Sequence, residues 1–294
     1  MSDTTANLRR KISSAGELQS VVRTMKAMAA SSIGQYENAV LALEDYDRAV
    51  QLGLVACFRQ NPLAGTVPGI AHKNAGAIGA LVFGSDQGLV GQFNEVMAAF
   101  VVHTLANLPG DKIIWAVGER IQPHLAASSL LPEKSFILPN SISAITPLVG
   151  QILLALETCR ERGEIAQLYL FHHRPSSGAT YTPVYQRLLP LDDVWRRDLA
   201  AIAWPTANLP EVMNGSDETL LAFIREYLFV SLFKAGAESL ASENASRLVA
   251  MQRAEKNIDE LLQDMNRSFH RLRQNAIDEE LFDVISGFEA LKEP

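Results

Sequence analysis

The chain is expected to join an α/β domain to a long antiparallel coiled coil. Its N- and C-terminal helices would form the rod, with a central Rossmann-like domain and a mostly parallel sheet between them. Three observations predict this. From about Asp217 to about Ala276 there is no proline, and Gly236 is the only glycine. Through the later part of that run a seam recurs in steps of three and four: Ala245, Leu248, Met251, Glu255, Ile258, Leu262, Met265, Phe269, Leu272 and Ala276. The opening residues, Thr4 to about Phe58, also lack proline and carry a second seam: Leu8, Ile12, Ala15, Leu18, Val22, Met25, Ala29, Ile33, Tyr36, Val40 and Leu43. Between them, short apolar runs alternate with helical spacing, as in βαβ units.

A seam of this kind needs a long partner. Some ~60 residues of helix would reach ~90 Å, more than a compact domain of this length is wide. The two ends of the chain are therefore read as mates. Three segments follow: residues 1–58 as the first helix of the coiled coil, 59–215 as the α/β domain with its linkers, and 216–294 as the second helix.

In chain order, Ser2, Asp3 and Thr4 are candidate N-caps for the first helix. Gly16 and Gly34 each cost it about 1 kcal/mol relative to alanine. They are either tolerated or allow a partner helix to come close. Arg59 to Gly76, with Asn61-Pro62 and Pro68-Gly69, reads as a connection. Ala77 to Phe83 is a strand candidate, and Gln92 to Leu108 has helical spacing. Lys112 to Val117 and the weaker Lys134 to Leu138 are further strands, Ile145 to Arg162 a helix, and Ile165 to Phe171 a strand. Buried parallel strands read as continuous apolar runs. Thr180 to Leu191 is assigned to an edge, because Pro183 is unwelcome in a central strand. Asp192 to Gly215 leads back to the rod.

Composition removes several classes of function. A net charge of −7 and a pI near 5.4 argue against a general nucleic-acid binder. Cys57 and Cys159 lie far apart without metal spacing, and read as buried, reduced thiols. The opening residues lack the apolar stretch of a signal peptide, and no uncharged apolar run approaches the ~20 residues that span a bilayer.

The loop from Gly84 to Asn94 (GSDQGLVGQFN) follows a strand and opens a helix, where a phosphate-binding loop would sit. Its spacing fits neither nucleotide fingerprint and it holds no lysine, so a glycine turn that packs closely and caps a helix is preferred. His172 and His173 close a strand and point to opposite faces, so they cannot share one metal; they are read as surface or loop residues. Arg9-Arg10-Lys11 and Arg267, Arg271 and Arg273 are read as a solvated face, with acidic loops of a protein partner as the alternative. No catalytic, cofactor-binding or metal-ligating residues are assigned.

Three segments together resemble the gamma subunit of F-type ATP synthases. The first is Arg9-Arg10-Lys11-Ile12-Ser13-Ser14, continuing through Thr24-Met25-Lys26-Ala27-Met28-Ala29-Ala30-Ser31. The second, Ser85-Asp86-Gln87-Gly88-Leu89-Val90-Gly91-Gln92-Phe93-Asn94, is similar to that family's S-D-x-G-L-C-G-x-F-N. The third and most specific is Arg271-Leu272-Arg273-Gln274-Asn275-Ala276-Ile277-Asp278-Glu279-Glu280-Leu281, followed by Ser286-Gly287-Phe288-Glu289-Ala290-Leu291.

The resemblance implies a central-stalk rotor without a catalytic site or cofactor of its own. It would turn inside a ring of alpha and beta subunits, with an epsilon subunit and a membrane c-ring as further partners. Its place would be the cytoplasmic face of the cell membrane. The resemblance also implies that Arg273 and Gln274 contact a catalytic beta subunit, with Met25 near the same region. The apolar tail Leu281, Phe282, Val284, Ile285, Phe288 and Leu291 either seats in a sleeve of the ring or simply continues the helix. Val90, Asp278, Ser20, Ser32 and His270 depart from the family's usual residues. These departures suggest a divergent branch, of the kind formed by the alternate ATPases associated with sodium. Two other classes stay open on the residues alone: an α/β nucleotide-binding enzyme with a coiled-coil arm, and a coiled-coil scaffold that dimerises.

Overall fold

The structure, a computed structural model, describes residues 4–60, 76–176, 180–191, 193–208 and 216–290. The first helix, α1 (Thr5–Gln60), starts at Thr4, whose Oγ1 accepts from the Asn7 N–H at 3.4 Å. The last, α6 (Ser216–Ala290), runs 75 residues, with Asp217 and Glu218 in its first turn, where the helix dipole favours negative charge. Between them lie β1 (Ala77–Phe83), α2 (Phe93–Ala106), β2 (Lys112–Val117), α3 (Gln122–Ala127), β3 (Pro132–Phe136), α4 (Ile145–Glu161), β4 (Ile165–Ser176), β5 (Thr180–Leu189) and α5 (Asp193–Ala200).

Two compact units result, one comprising residues 30–247 and the other residues 1–29 with 248–294. In the larger, the five strands order as β3-β2-β1-β4-β5. The first four pair in parallel, and β5 closes one edge antiparallel to β4. Pro183 lies opposite His173 on that edge strand, where its missing N–H is tolerated. Leu81, Phe83, Trp115, Leu168 and Leu170 face a core built with α4, the later part of α1 and the earlier part of α6. Ile78, Ala80, Val82, Ile114 and Phe171 face α2 and α3. Burial on both faces explains why the central strands read as continuous apolar runs. Cys57 and Cys159 are free and buried.

Against the expectation that no run approaches a bilayer span, one stretch among the described residues, Ile142–Glu161, is long and apolar enough by composition to cross a membrane. Its apolar character is accounted for by Ile145, Leu148, Val149, Ile152 and Leu156, which are buried in the sheet's core.

Some expectations need correction. The third strand is Pro132–Phe136, two residues earlier than Lys134 to Leu138. Short helices α3 and α5 were not foreseen; the latter lies in the stretch read as a plain return to the rod. Gly16 and Gly34 do not mark close helix approach, since an added Cβ at either would meet nothing within 4 Å. The close approach falls instead at Gly53, where a Cβ would lie 2.3 Å from the Phe223 ring. Ser2, Asp3 and most of the 59–76 connection lie outside the described residues.

The smaller unit is a helical hairpin. Val22, Met251 and Ile258 are buried at its seam, with Met25, Ala250, Ala254 and Leu262 packed against them. The pairs Gln19–Asp259 and Arg23–Glu255 show the antiparallel sense: moving up one helix moves down the other.

Candidate functional site

The residues expected to touch a partner lie in the hairpin unit. Arg273 shares a groove with Arg9, Arg10, Ser13, Phe269 and Ile277, so one member of the C-terminal basic group lies beside two of the N-terminal group. Gln274, beside it, is exposed. Met25 is not brought to them: it packs at the Val22–Met251 seam, and ~20 residues of α6, about 30 Å, separate its level from Arg273. Ile277, Leu281, Phe282, Val284 and Ile285 are exposed along the last turns of α6. The side chain of Phe288 and all of Leu291 fall outside the described residues.

Glu255, the charged member of the α6 seam, is only 17% exposed and reaches across to two cations. Arg23 Nε donates to it at 2.8 Å and Lys26 Nζ at 2.5 Å. The Lys26 and then the Arg23 hydrogen bond hold its carboxyl below the usual carboxylate range. Gln19 donates to Asp259 one turn further along.

The glycine loop after β1 is a staple. Ser85 N–H donates to Asn94 Oδ1 (3.0 Å), Asn94 Nδ2 to Ser85 Oγ (2.8 Å), and Ser85 Oγ to the Gln87 carbonyl (3.0 Å). The Asp86 carboxylate accepts from the N–H groups of Glu119 (2.8 Å) and Leu138 (2.9 Å), tying together the ends of β1, β2 and β3. At Gly84 a Cβ would stand 2.3 Å from Ile121 Cβ, and Gly118, at φ +104°, passes against Ser85. These polar groups are spent on the protein itself.

In a sheet of this order the chain reverses between β1 and β4, and ligands of such folds bind in the crevice beyond those strand ends. Here α6 occupies the crevice. Ser246 Oγ donates to the Val90 carbonyl (2.5 Å), and Ser242 Oγ reaches the His173 carbonyl (3.2 Å). Gly236 lies against Phe83 and Ile145.

His172 and His173 are neither surface nor loop residues. The strand continues past the apolar run to Ser176, and the histidines are 2% and 0% exposed. They do point to opposite faces. His172 Nε2 meets Glu238 Oε2 on α6 at 2.7 Å, and His173 Nε2 donates to the Phe93 carbonyl on α2 at 2.9 Å. That bond fixes the proton on Nε2 and leaves Nδ1 buried without a partner. Burial is the main cause that lowers the His173 pKa to about 4, since an imidazolium would bring an unsatisfied N–H into the core. Burial alone would raise the Glu238 carboxyl. The hydrogen bond and charge of His172, together with Arg174 Nε at 3.2 Å, outweigh it and hold it low. Glu243 is different: burial pushes it up, against the pull of Arg247 at 2.5 Å.

Glu238, Glu243 and Arg247 were missed from sequence. The available signal was the density of small residues around them: Ala235, Gly236, Ala237, Ser239, Ala241, Ser242, Ala245 and Ser246. Such a run marks a helix approached closely on several sides. Among the described residues, no group of three or more His, Cys, Asp or Glu side chains is placed to hold a metal.

A family model described as ATP synthase matches residues 4–291. The ATP synthase gamma chain of Polynucleobacter necessarius subsp. necessarius is 24% identical over 293 residues, 98% of this chain and 99% of that one. The gamma chain of Brevibacillus brevis is 25% identical over 288 residues, covering 96% and 97%. Among solved structures, the fold is similar to a chain of the Euglena gracilis mitochondrial ATP synthase (OSCP/F1/c-ring, rotational state 3), with a TM-score of 0.64 at 14% identity, covering 98% and 94%. It is also similar to a chain of the Tetrahymena thermophila mitochondrial ATP synthase central stalk and c-ring, with a TM-score of 0.56 at 20% identity, covering 80% and 99%.

Proposed function

The chain belongs to the ATP synthase family, and from that premise we propose how a gamma-type rotor subunit works with these residues. It is the central-stalk rotor of a rotary ATP synthase, part of the peripheral F1 portion, and its partners are the alpha–beta ring and the c-ring. An asymmetric rotor inside a ring of catalytic sites favours a different site conformation at each angle. That preference is a coupling free energy between rotation and nucleotide affinity.

The chain carries no bond-making chemistry of its own. The observation that supports this reading is the crevice at β1 and β4, filled by Ser242 and Ser246 of α6 where a doubly wound enzyme would hold its ligand. Its three working segments are residues 1–58, 59–215 and 216–294. Arg273 and Gln274 contact a catalytic beta subunit, with the Arg9 and Arg10 side chains of the same groove adding positive charge. Met25 is a further contact with that subunit, made at a different level of the hairpin from Arg273. An epsilon subunit completes the stalk, and the complex works at the cytoplasmic face of the cell membrane. Identities near 24% to bacterial gamma chains accord with a divergent branch.

Two experiments test this. Co-purification from cells should bring down the two ring subunits in equal, threefold excess over this chain; a symmetric homodimer in place of that complex refutes the rotor. Arg273→Ala with Gln274→Ala should lower ATP turnover or coupling several-fold in the reconstituted complex. Unchanged turnover and coupling would remove both residues from the contact.

A further inference from the structure

Both helices of the hairpin carry apolar or small residues at steps of seven: Leu8, Ala15, Val22 and Ala29 on α1, and Met251, Ile258, Met265 and Leu272 on α6. A seam with a strict seven-residue repeat is degenerate, because sliding one helix by a heptad again sets apolar against apolar. Within the hairpin seam itself, apolar packing therefore defines the face of contact but not the stagger.

Glu255 breaks the degeneracy. In the observed stagger it lies between Arg23 and Lys26 and is largely covered. A slip of one heptad in one direction sets it against Gly16 and Gln19, and in the other against Ala30 and Ile33. Either slip leaves a partly covered carboxylate without a cation, and carries Arg23 away from the α6 carboxylate it pairs with. One polar residue at a seam position is a known way to fix register.

We propose that Glu255, held by Arg23 and Lys26, is a positioning residue that locks the stagger of the hairpin, so that torque applied to one helix is carried by the other. The proposal rests on the rotor reading for its purpose but not for its geometry, so the two are tested separately.

For the geometry, spin labels at Leu18 and Leu261, both more than half exposed, report the separation in the isolated full-length chain. The wild-type chain should give one narrow distance. Glu255→Leu should broaden it, adding weight displaced by up to ~10 Å, the length of a heptad. Glu255→Gln, which keeps size and removes charge, should do the same to a lesser degree and serves if the leucine variant misfolds. The charge-reversed set Arg23→Glu, Lys26→Glu and Glu255→Lys should restore a narrow distance. For the purpose, ion pumping per ATP hydrolysed is compared in the reconstituted complex. It should fall about threefold or more in Glu255→Gln and recover in the charge-reversed set. A single unshifted distance in both Glu255 variants overturns the lock. Broadened distances with unchanged pumping overturn its role in torque, and a wild-type chain that fails to enter a ring complex refutes the rotor reading alone.

Discussion

His172 and His173 show how little a single residue's type says about its surroundings. The first is clamped to Glu238 and the second to the Phe93 carbonyl, and both are buried. A consequence follows for His173. Its folded pKa of about 4 lies below the unfolded value, so between the two the unfolded chain binds more protons. The stabilisation is complete above pH ~6.5 and is lost as pH falls toward 4, by about 3 kcal/mol in all. Glu238 adds to the loss further down, since its depressed pKa gives stability present above the unfolded carboxyl value and lost as pH falls through the folded one. Urea unfolding midpoints from pH 7 to 5 should decline in the wild-type chain. His173→Gln, which keeps a donor for the Phe93 carbonyl, should flatten that decline; an unchanged slope assigns the titration elsewhere.

At the scale of the element, the two long helices were legible because a seam needs only local repetition to be seen. Their glycines were not. Gly34 has open space around it and Gly53 lies under the Phe223 ring, yet both are glycines in the middle of one helix. Gly34→Ala should raise stability by about 1 kcal/mol through helix propensity. Gly53→Ala should lower it by about 1–3 kcal/mol through overpacking. Thermal unfolding of the two variants would separate them by sign, and equal shifts would mean that Phe223 turns aside freely. The extension of β4 to Ser176 belongs here too. Its last residues are polar in sequence, and they stay in the strand because β5 pairs with them through Ser176.

For the whole molecule, the two units differ in what holds them. The larger has apolar cores on both faces of a five-stranded sheet. The hairpin unit has Val22, Met251 and Ile258 as its buried cluster among the described residues, plus the Glu255 and Asp259 contacts. Fewer buried apolar contacts mean a lower free energy of local opening. Hydrogen exchange of the isolated chain should therefore find amides of β1 and β4 protected for much longer than those of residues 5–29 and 248–287. Comparable protection in both would show that the hairpin is held by more than its seam.

The two long helices and the mating of the two ends, the mostly parallel sheet and the edge position of the Pro183 strand were legible in the sequence alone. Each rests on periodicity, proline position or pairing logic that a short window contains. Only the tertiary structure decided that α6 fills the crevice of the sheet, that two histidines and two glutamates lie inside, that Met25 stands apart from Arg273, and that Glu255 finds two cations. Burial and charge pairing depend on which distant segment arrives opposite a residue. No local pattern carries that information, because the covering helix is more than sixty residues away in the chain.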